Sequence, residues 1–188
     1  MDEVEFWRII ENAKMESQGD LDREVEIITD MLKRHSADEI LIFDAIHQEL
    51  HDRAEREDLF NASTIFKTSI SDDAFHYFRG WLVAQGQAVY EAALRDPDTL
   101  VEIVDETRFY GESECEEMLY VAMDAYKAVT GHDIPSHGDY RLTLTKYDWE
   151  DKGAGHNFKK DPPHGNYWID VDYSQIFPRL WAKFGDED

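Results

Sequence analysis

The feature that most constrains this 188-residue chain is the spacing of its apolar side chains, which changes near residue 131. Up to that point they recur every three or four residues, as on one face of an amphipathic helix. Beyond it Tyr140, Leu142 and Leu144 alternate with polar residues, which is the period of a half-buried strand. We therefore predict a mainly α protein. It would be a multi-helix bundle over residues 1–131, with a small β-containing C-terminal extension over residues 132–188 packed on the bundle.

Local signals mark where the helices of the bundle begin and end. Gly19-Asp20 breaks the chain, and Ser36 with Glu39 forms a capping-box pattern. Ser71 precedes two acids and predicts another helix start, because acids in a first turn interact favourably with the helix dipole. Ser113 with Glu116 gives a further capping-box pattern, and Gly131 stands where a left-handed C-terminal cap is expected.

The C-terminal extension is aromatic and rich in loop-forming residues. Residues 167–173 are compatible with a partner strand for residues 140–145. Pro178 suits the first position of a short closing helix that contains Leu180, Trp181 and Phe184. We expect most of the aromatic side chains of the extension to pack against the bundle.

Charge and composition exclude several classes of protein. The chain has 19 Lys and Arg against 42 Asp and Glu, a formal net charge of −23, which repels nucleic acid and anionic membranes. Its one cysteine, Cys115, rules out an internal disulfide and a Cys-rich zinc site, and the neighbouring glutamates are expected to disfavour its thiolate. The sequence has no stretch of about 18 apolar residues, so it predicts no membrane span. It has no basic leader at Met1 that would indicate a signal peptide, so we expect a cytoplasmic location.

Two separated segments carry a family resemblance. They are the opening Phe6-Trp7-Arg8-Ile9-Ile10 and the string from Ser71 to Tyr90, which continues to Pro97. In this order they resemble a bacterial family catalogued as domain of unknown function 4240, over roughly residues 1 to 130. The resemblance implies a bacterial, mainly helical, soluble protein, and it implies no activity, cofactor or catalytic residue.

One candidate metal site is visible in the sequence. His47 and His51 are four residues apart, and Glu55 follows at the same spacing, so one face of a helix could present all three to a metal ion. The alternative is a histidine at the edge of the core and a second histidine on the surface. If these residues do not bind a metal ion, we expect the protein to have no cofactor.

Two further acidic pairs have both a chemical and a structural interpretation. Asp72 and Asp73, beside His76, could bind a metal or act as general bases, but helix capping explains them as well. Asp170 and Asp172 could hold a cation or form a solvated strand face. No nucleophile elbow, phosphate-binding loop, dinucleotide fingerprint or zincin motif occurs in the sequence.

Residues 96–117 hold nine acids and one base, which is more negative charge than capping requires. The segment is either a docking face for a basic protein or a solvated face. For a docking face we select the four acids that capping does not employ: Glu102, Asp105, Glu106 and Glu112. The sequence thus favours a non-enzymatic interaction or regulatory protein, for example an immunity- or inhibitor-like protein, with a basic protein as partner. The alternative is a metal-dependent enzyme that uses His47 and His51.

Overall fold

The architecture is built from helices joined by short turns. A computed structural model of the chain describes residues 1–66, 71–104, 113–136 and 172–185. The α-helices in these ranges are α1 (Glu3–Ser17), α2 (Leu21–Leu32), α3 (Ala37–Arg53), α4 (Glu57–Phe66), α5 (Asp72–Ala84), α6 (Gln87–Arg95), α7 (Val121–Thr130), α8 (Tyr173–Ile176) and α9 (Pro178–Phe184). Among the described residues between α6 and α7 there are two 3₁₀ helices, Pro97–Glu102 and Glu117–Leu119. The prediction of a mainly α protein is confirmed.

Most predicted helix boundaries have the expected cap. The Ser36 hydroxyl and the Glu39 side chain form a complete capping box at the start of α3. The Ser71 hydroxyl accepts a hydrogen bond from the amide of Ala74, 3.1 Å away, at the start of α5. Gly131 ends α7 with φ of 74°, the left-handed conformation predicted for it.

The predicted capping box at Ser113 is wrong. Helix α7 begins at Val121, after the short 3₁₀ helix, and no side-chain cap bond opens it. The reason is a close contact with α5: the Cys115 amide donates to the Tyr77 carbonyl at 3.1 Å. A Cβ atom on Gly80 would lie 2.8 Å from the Cys115 carbonyl oxygen, so the two backbones meet where only glycine fits. The chain is held against α5 before it turns into α7.

Aromatic side chains join the helices into one core. Helix α1 packs on α2, and α7 packs on both α2 and α3. The rings of Phe6 and Phe43 lie 4.5 Å apart between centroids, which connects α1 to α3. Tyr90 of α6 is buried, and its hydroxyl donates to the Leu50 carbonyl at 2.7 Å. The buried hydroxyl thus has the partner that burial demands.

The C-terminal helix docks onto the bundle. Helix α9 packs on the 3₁₀ helix Pro97–Glu102 and on α4, with Phe177, Leu180 and Phe184 buried. Pro178 occupies the first turn, as predicted. The extension therefore contributes apolar side chains to the core.

The predicted strands at residues 140–145 and 167–173 lie almost entirely within residues 137–171, outside the described residues. Tyr173, the last residue of the second segment, begins α8. The described ranges contain no strand. None of the helices within them is long and apolar enough to cross a membrane.

Candidate functional site

A cavity of about 800 Å³ opens where the end of α1, the start of α2 and the end of α5 meet. This volume is in the range of small-molecule sites. Its lining within the described residues is Lys14, Gln18, Gly19, Asp20, Leu21, Asp22, Glu24, Trp81, Gln85, Ile103, Val104, Ser113, Glu114 and Glu117.

The turn between α1 and α2 positions one wall of the cavity. Gln18 and Gly19 both have positive φ, 56° and 90°, which reverses the chain so that α2 packs on α1. Glycine reaches this conformation without strain. Asp20 then caps α2, since its Oδ1 accepts a hydrogen bond from the Arg23 amide at 3.0 Å. The predicted break at Gly19-Asp20 is confirmed, and it places the start of α2 beside the end of α1.

The charge of the lining is strongly negative. Its described residues include five acids and one base, Lys14. The Lys14 Nζ donates to the Gln85 carbonyl at 2.7 Å and to the Gln85 Oε1 at 2.9 Å, which ties α1 to the end of α5. Partial burial lowers the pKa of Lys14, although Glu24 opposes the shift.

Glu24 is the most unusual residue of the cavity. It is only 3 % exposed, and its Oε1 has no hydrogen-bond partner within the described residues. Burial raises the pKa of its carboxyl group to about 7, against the lowering effect of Lys14 and the Ser17 hydroxyl. The carboxyl group is therefore present in both protonation states near neutral pH. Buried titratable groups with such shifts are concentrated in functional sites.

Local structure explains the other acids at the start of α2 better than it explains Glu24. Asp20 is the N-cap, and Asp22 is an exposed residue of the first turn, where the helix dipole favours a negative charge. Glu24 also lies near this end, but the dipole gives no reason to bury a carboxyl group and leave one oxygen unpaired. The helix end therefore does not account for the burial of Glu24, and we relate this burial to the cavity that its side chain lines.

The predicted metal ligands lie elsewhere, between α3 and α5. His47 and His51 are 1 % and 2 % exposed, with ring centroids 6.1 Å apart, so the expectation that one of them is a surface histidine is wrong. The His51 Nε2 lies 3.0 Å from the His76 carbonyl oxygen, to which it can donate. Burial lowers the pKa of His51 to about 3, with Arg79 adding to the effect, so the ring is neutral at physiological pH.

Arg79 organises this histidine cluster. Its Nη1 donates to the Glu55 Oε2 at 3.2 Å and to the His51 carbonyl at 3.3 Å, and its Nη2 donates to the His76 Nδ1 at 3.1 Å. Glu55 thus already has a charged partner. The described part of the chain contains no group of three or more His, Cys, Asp or Glu side chains that could hold a metal ion. The arrangement ties α3 to α5.

Comparison with known proteins agrees with the resemblance seen in the sequence. A family model described as "Protein of unknown function (DUF4240)" matches residues 1–128. The chain belongs to this family. No curated protein and no solved structure is significantly similar to it. The bacterial origin stays a prediction.

Helix α9 lies beyond the region that the DUF4240 model matches, yet its residues form hydrogen bonds or ion pairs with three of the acids in residues 96–117. The Asp98 Oδ2 accepts from the Arg179 amide at 3.0 Å and from the Arg179 Nε at 3.1 Å, and its Oδ1 accepts from the Leu180 amide at 2.8 Å. The Arg179 guanidinium also reaches Asp96 at 2.9 Å and Glu102 at 3.5 Å.

Of the four acids selected for a docking face, the structure describes one. The Glu102 side chain is 70 % exposed and pairs with Arg179. Asp105, Glu106 and Glu112 lie outside the described residues. Glu114 and Glu117 of the same acidic segment line the cavity.

The remaining acidic candidates in this DUF4240 protein have local roles. Asp72 and Asp73 are exposed in the first turn of α5, next to the Ser71 cap. Asp172 caps α8, since its Oδ1 accepts from the Ser174 amide at 3.1 Å, and Asp170 lies outside the described residues. The pKa of Cys115 is raised to about 12, mainly by burial and only secondarily by its acidic neighbours.

Sequence reasoning missed Glu24, although a signal existed. Glu24 lies four residues before Ile28 and eight before Leu32, so it shares the buried face of α2 with them. Leu21 and Val25, the apolar residues that precede Ile28 at helical spacing, are only half-buried. An acid at a core position of a helix is the pattern that would have pointed to the cavity.

Proposed function

We propose that this DUF4240 protein is a non-enzymatic binding protein that recognises a basic partner through acidic surfaces, in an immunity- or inhibitor-like or other regulatory role. One observation carries the proposal: five acids and one lysine line a cavity of about 800 Å³. Such a concave acidic surface attracts positively charged groups, and low-dielectric walls focus its field.

The charge of the whole chain supports the same partner. A net charge of −23 increases the rate of encounter with a basic protein, and acids at the rim of an interface act mainly on the association rate. The exposed Glu102 would extend this attraction beyond the cavity. In this proposal, the docking face predicted from the sequence adds its negative charge to the attraction.

The test uses a fluorescein-labelled nona-lysine peptide as the probe for a basic partner. A cavity variant carries Asp22→Asn, Glu114→Gln and Glu117→Gln. The matched control carries Asp38→Asn, Glu57→Gln and Asp124→Asn, which remove the same charge from exposed first-turn positions of other helices. Association rates are measured by stopped flow at about 20 mM and about 500 mM salt, since salt screens such attraction.

We expect the cavity variant to associate much more slowly than the control at low salt, and the difference to shrink at high salt. Equal rates for the two variants would mean that diffuse charge, and not the cavity, attracts the peptide. A third variant neutralises Glu102, Asp105, Glu106 and Glu112 together and should also slow association at low salt. An unchanged rate there would remove these four residues from the binding surface while leaving the cavity as the site.

A further inference from the structure

We propose that Glu24 is the counterion for an alkylammonium group that enters the cavity, as carried by a lysine side chain or by a free diamine. The inference rests on the proposed function and assigns one anchoring residue and one ligand chemistry to it. Its failure and the failure of the proposed function can be told apart by the experiment below.

The first argument is the unsatisfied oxygen of Glu24. The side chain lines the cavity and is 97 % buried, and its Oε1 has no hydrogen-bond partner among the described residues. A buried acceptor without a donor is costly, and a charged donor is the partner that compensates best for a carboxylate. A ligand that brings one N–H donor into the cavity would satisfy this atom.

The second argument is the sign of the charge around it. Asp22, Glu114 and Glu117 face the same cavity, and the one lysine there is already bonded twice to Gln85. An anionic ligand would be repelled by these carboxylates, whereas a cation would be attracted to them. Trp81, at 6 % exposure, adds an aromatic residue to the lining.

The third argument selects an ammonium group over a guanidinium group or a metal ion. A guanidinium prefers two carboxylate oxygens at once, but a single oxygen of Glu24 lacks a partner. A metal ion needs several ligands, and the described residues offer no suitable group of three. The apolar side chains of Leu21, Ile103 and Val104 in the lining suit the alkyl stem of an amine.

Binding of this kind requires an ionised Glu24, so it is linked to pH. Since burial raises the pKa of Glu24 to about 7, affinity for an ammonium group should rise about tenfold between pH 6 and pH 8. Lys14 from α1 and Cys115 from the segment before α7 interact electrostatically with Glu24. The other charged groups of the described lining are Asp20, Asp22, Glu114 and Glu117. An alkylamine stays protonated over this range, because its ordinary pKa resembles that of lysine.

The experiment is isothermal titration of the full chain with pentylamine, 1,5-diaminopentane and the uncharged 1-pentanol. The variant is Glu24→Gln, which keeps the size of the side chain and removes its ionisation. The matched control is Glu26→Gln on the same helix, where Glu26 is exposed and pairs with Arg23 outside the cavity. Thermal unfolding checks that both variants are folded, and the pH dependence of the unmodified chain needs no variant at all.

We expect pentylamine to bind the unmodified chain and pentanol to bind at least tenfold more weakly. Glu24→Gln should lose at least tenfold in affinity for pentylamine and lose the pH dependence, whereas Glu26→Gln should stay within twofold. Equal binding of pentanol and pentylamine would overturn the proposal. So would absence of a pH effect in the unmodified chain, or a pH effect that persists in Glu24→Gln.

The nona-lysine peptide separates the two possible sources of the ammonium group. If the peptide and 1,5-diaminopentane compete, a lysine side chain can occupy the site; if the diamine binds without competing, the ligand is a free amine. If the peptide binds the unmodified chain and Glu24→Gln equally while pentylamine binds neither, Glu24 is not the anchor and the proposed function stands. If pentylamine binds through Glu24 but the peptide does not bind, the proposed function fails and the amine site remains.

Discussion

Two acidic regions of this molecule use their carboxylates in opposite ways. In the Arg179 cluster (Asp96, Asp98, Glu102 and Arg179), one guanidinium and three backbone amides of the chain itself donate to the acids. In the cavity the lining acids face one lysine, and the Glu24 Oε1 has no described partner. The comparison teaches that acidic composition alone does not identify a binding surface. What distinguishes the two regions is the buried carboxylate of each: Asp98 accepts three hydrogen bonds from the chain, whereas the Glu24 Oε1 accepts none within the described residues.

We expect the largest loss of stability from a substitution that disrupts the Arg179 cluster. Asp98→Ala removes a buried carboxylate that accepts three hydrogen bonds and leaves the buried amide of Leu180 without its acceptor. We expect the free energy of unfolding to fall by about 3 kcal/mol, because a buried group loses its partners. Urea unfolding followed by circular dichroism measures the change, and limited proteolysis should reveal earlier cleavage near α9.

The matched substitution in the cavity is Asp22→Ala. Asp22 is exposed and lies in the first turn of α2, where the helix dipole favours its charge, so we expect a loss of about 0.5 kcal/mol or less. Similar losses for Asp98→Ala and Asp22→Ala would contradict the distinction between structural and cavity acids.

The second prediction concerns a substitution that displaces one wall of the cavity. In Gly80→Ala the new methyl group would lie 2.8 Å from the Cys115 carbonyl, so the segment that carries Glu114 and Glu117 must shift. We expect a loss of stability of about 2 kcal/mol from overpacking. A matched Gly→Ala comparison is not offered by Gly19, whose φ of 90° strains any side chain. Ala84→Gly on the same helix instead destabilises by another route, through lower helix propensity and the loss of a buried methyl group, with an expected loss of about 1–2 kcal/mol.

Binding separates displacement of the wall from general destabilisation. Gly80→Ala should also weaken pentylamine binding under conditions where the protein is fully folded, whereas Ala84→Gly should not. Unchanged binding in folded Gly80→Ala would show that the position of this segment does not matter to the site.

Much of the fold could be predicted from the sequence because its signals are local. Caps such as Ser36 and Ser71 bind backbone amides within four residues of themselves, and Gly131 ends its helix through its own left-handed backbone conformation. Ser113 had the same local pattern and misled us, because a long-range contact between Cys115 and α5 decides the conformation there. Tertiary packing overrides a capping pattern where the backbones touch.

The candidate site was harder to predict, since it depends on which distant groups meet. Arg179 lies more than 75 residues from the acids it neutralises, and no spacing rule connects them. His51 and Glu55 have ligand-like spacing, but Arg79 and the His76 carbonyl, from another helix, are their partners. For Glu24 the sequence does contain a signal, because this acid shares one face of α2 with the buried residues Ile28 and Leu32.

The third prediction concerns the pH dependence of stability. The pKa of Glu24 is about 7 in the folded protein against an ordinary value of 4.5, so the folded state holds this proton more tightly than the unfolded state. The stabilisation is complete below about pH 4.5 and is lost as pH rises through about 7. At pH 8.5, Glu24→Gln should therefore be more stable than the unmodified chain by about 1–2 kcal/mol, after allowance for solvent screening.

Urea unfolding at pH 5 and pH 8.5 provides the measurement. The stability advantage of Glu24→Gln should grow with pH, while Glu26→Gln should show no such trend. An advantage that is constant with pH would mean that the substitution acts through packing and that burial of the charge is not its cause.

The smallest effect is expected at the exposed edge of the Arg179 cluster. Glu102 is 70 % exposed and lies 3.5 Å from the Arg179 Nη1, which itself keeps Asp96 and Asp98 as partners. Glu102→Gln should therefore change the free energy of unfolding by less than about 0.5 kcal/mol, and less still at high salt. Urea unfolding at two salt concentrations measures this. A loss as large as that of Asp98→Ala would make Glu102 a structural acid and exclude it from any docking face, whereas a negligible loss leaves its charge available to attract a basic partner.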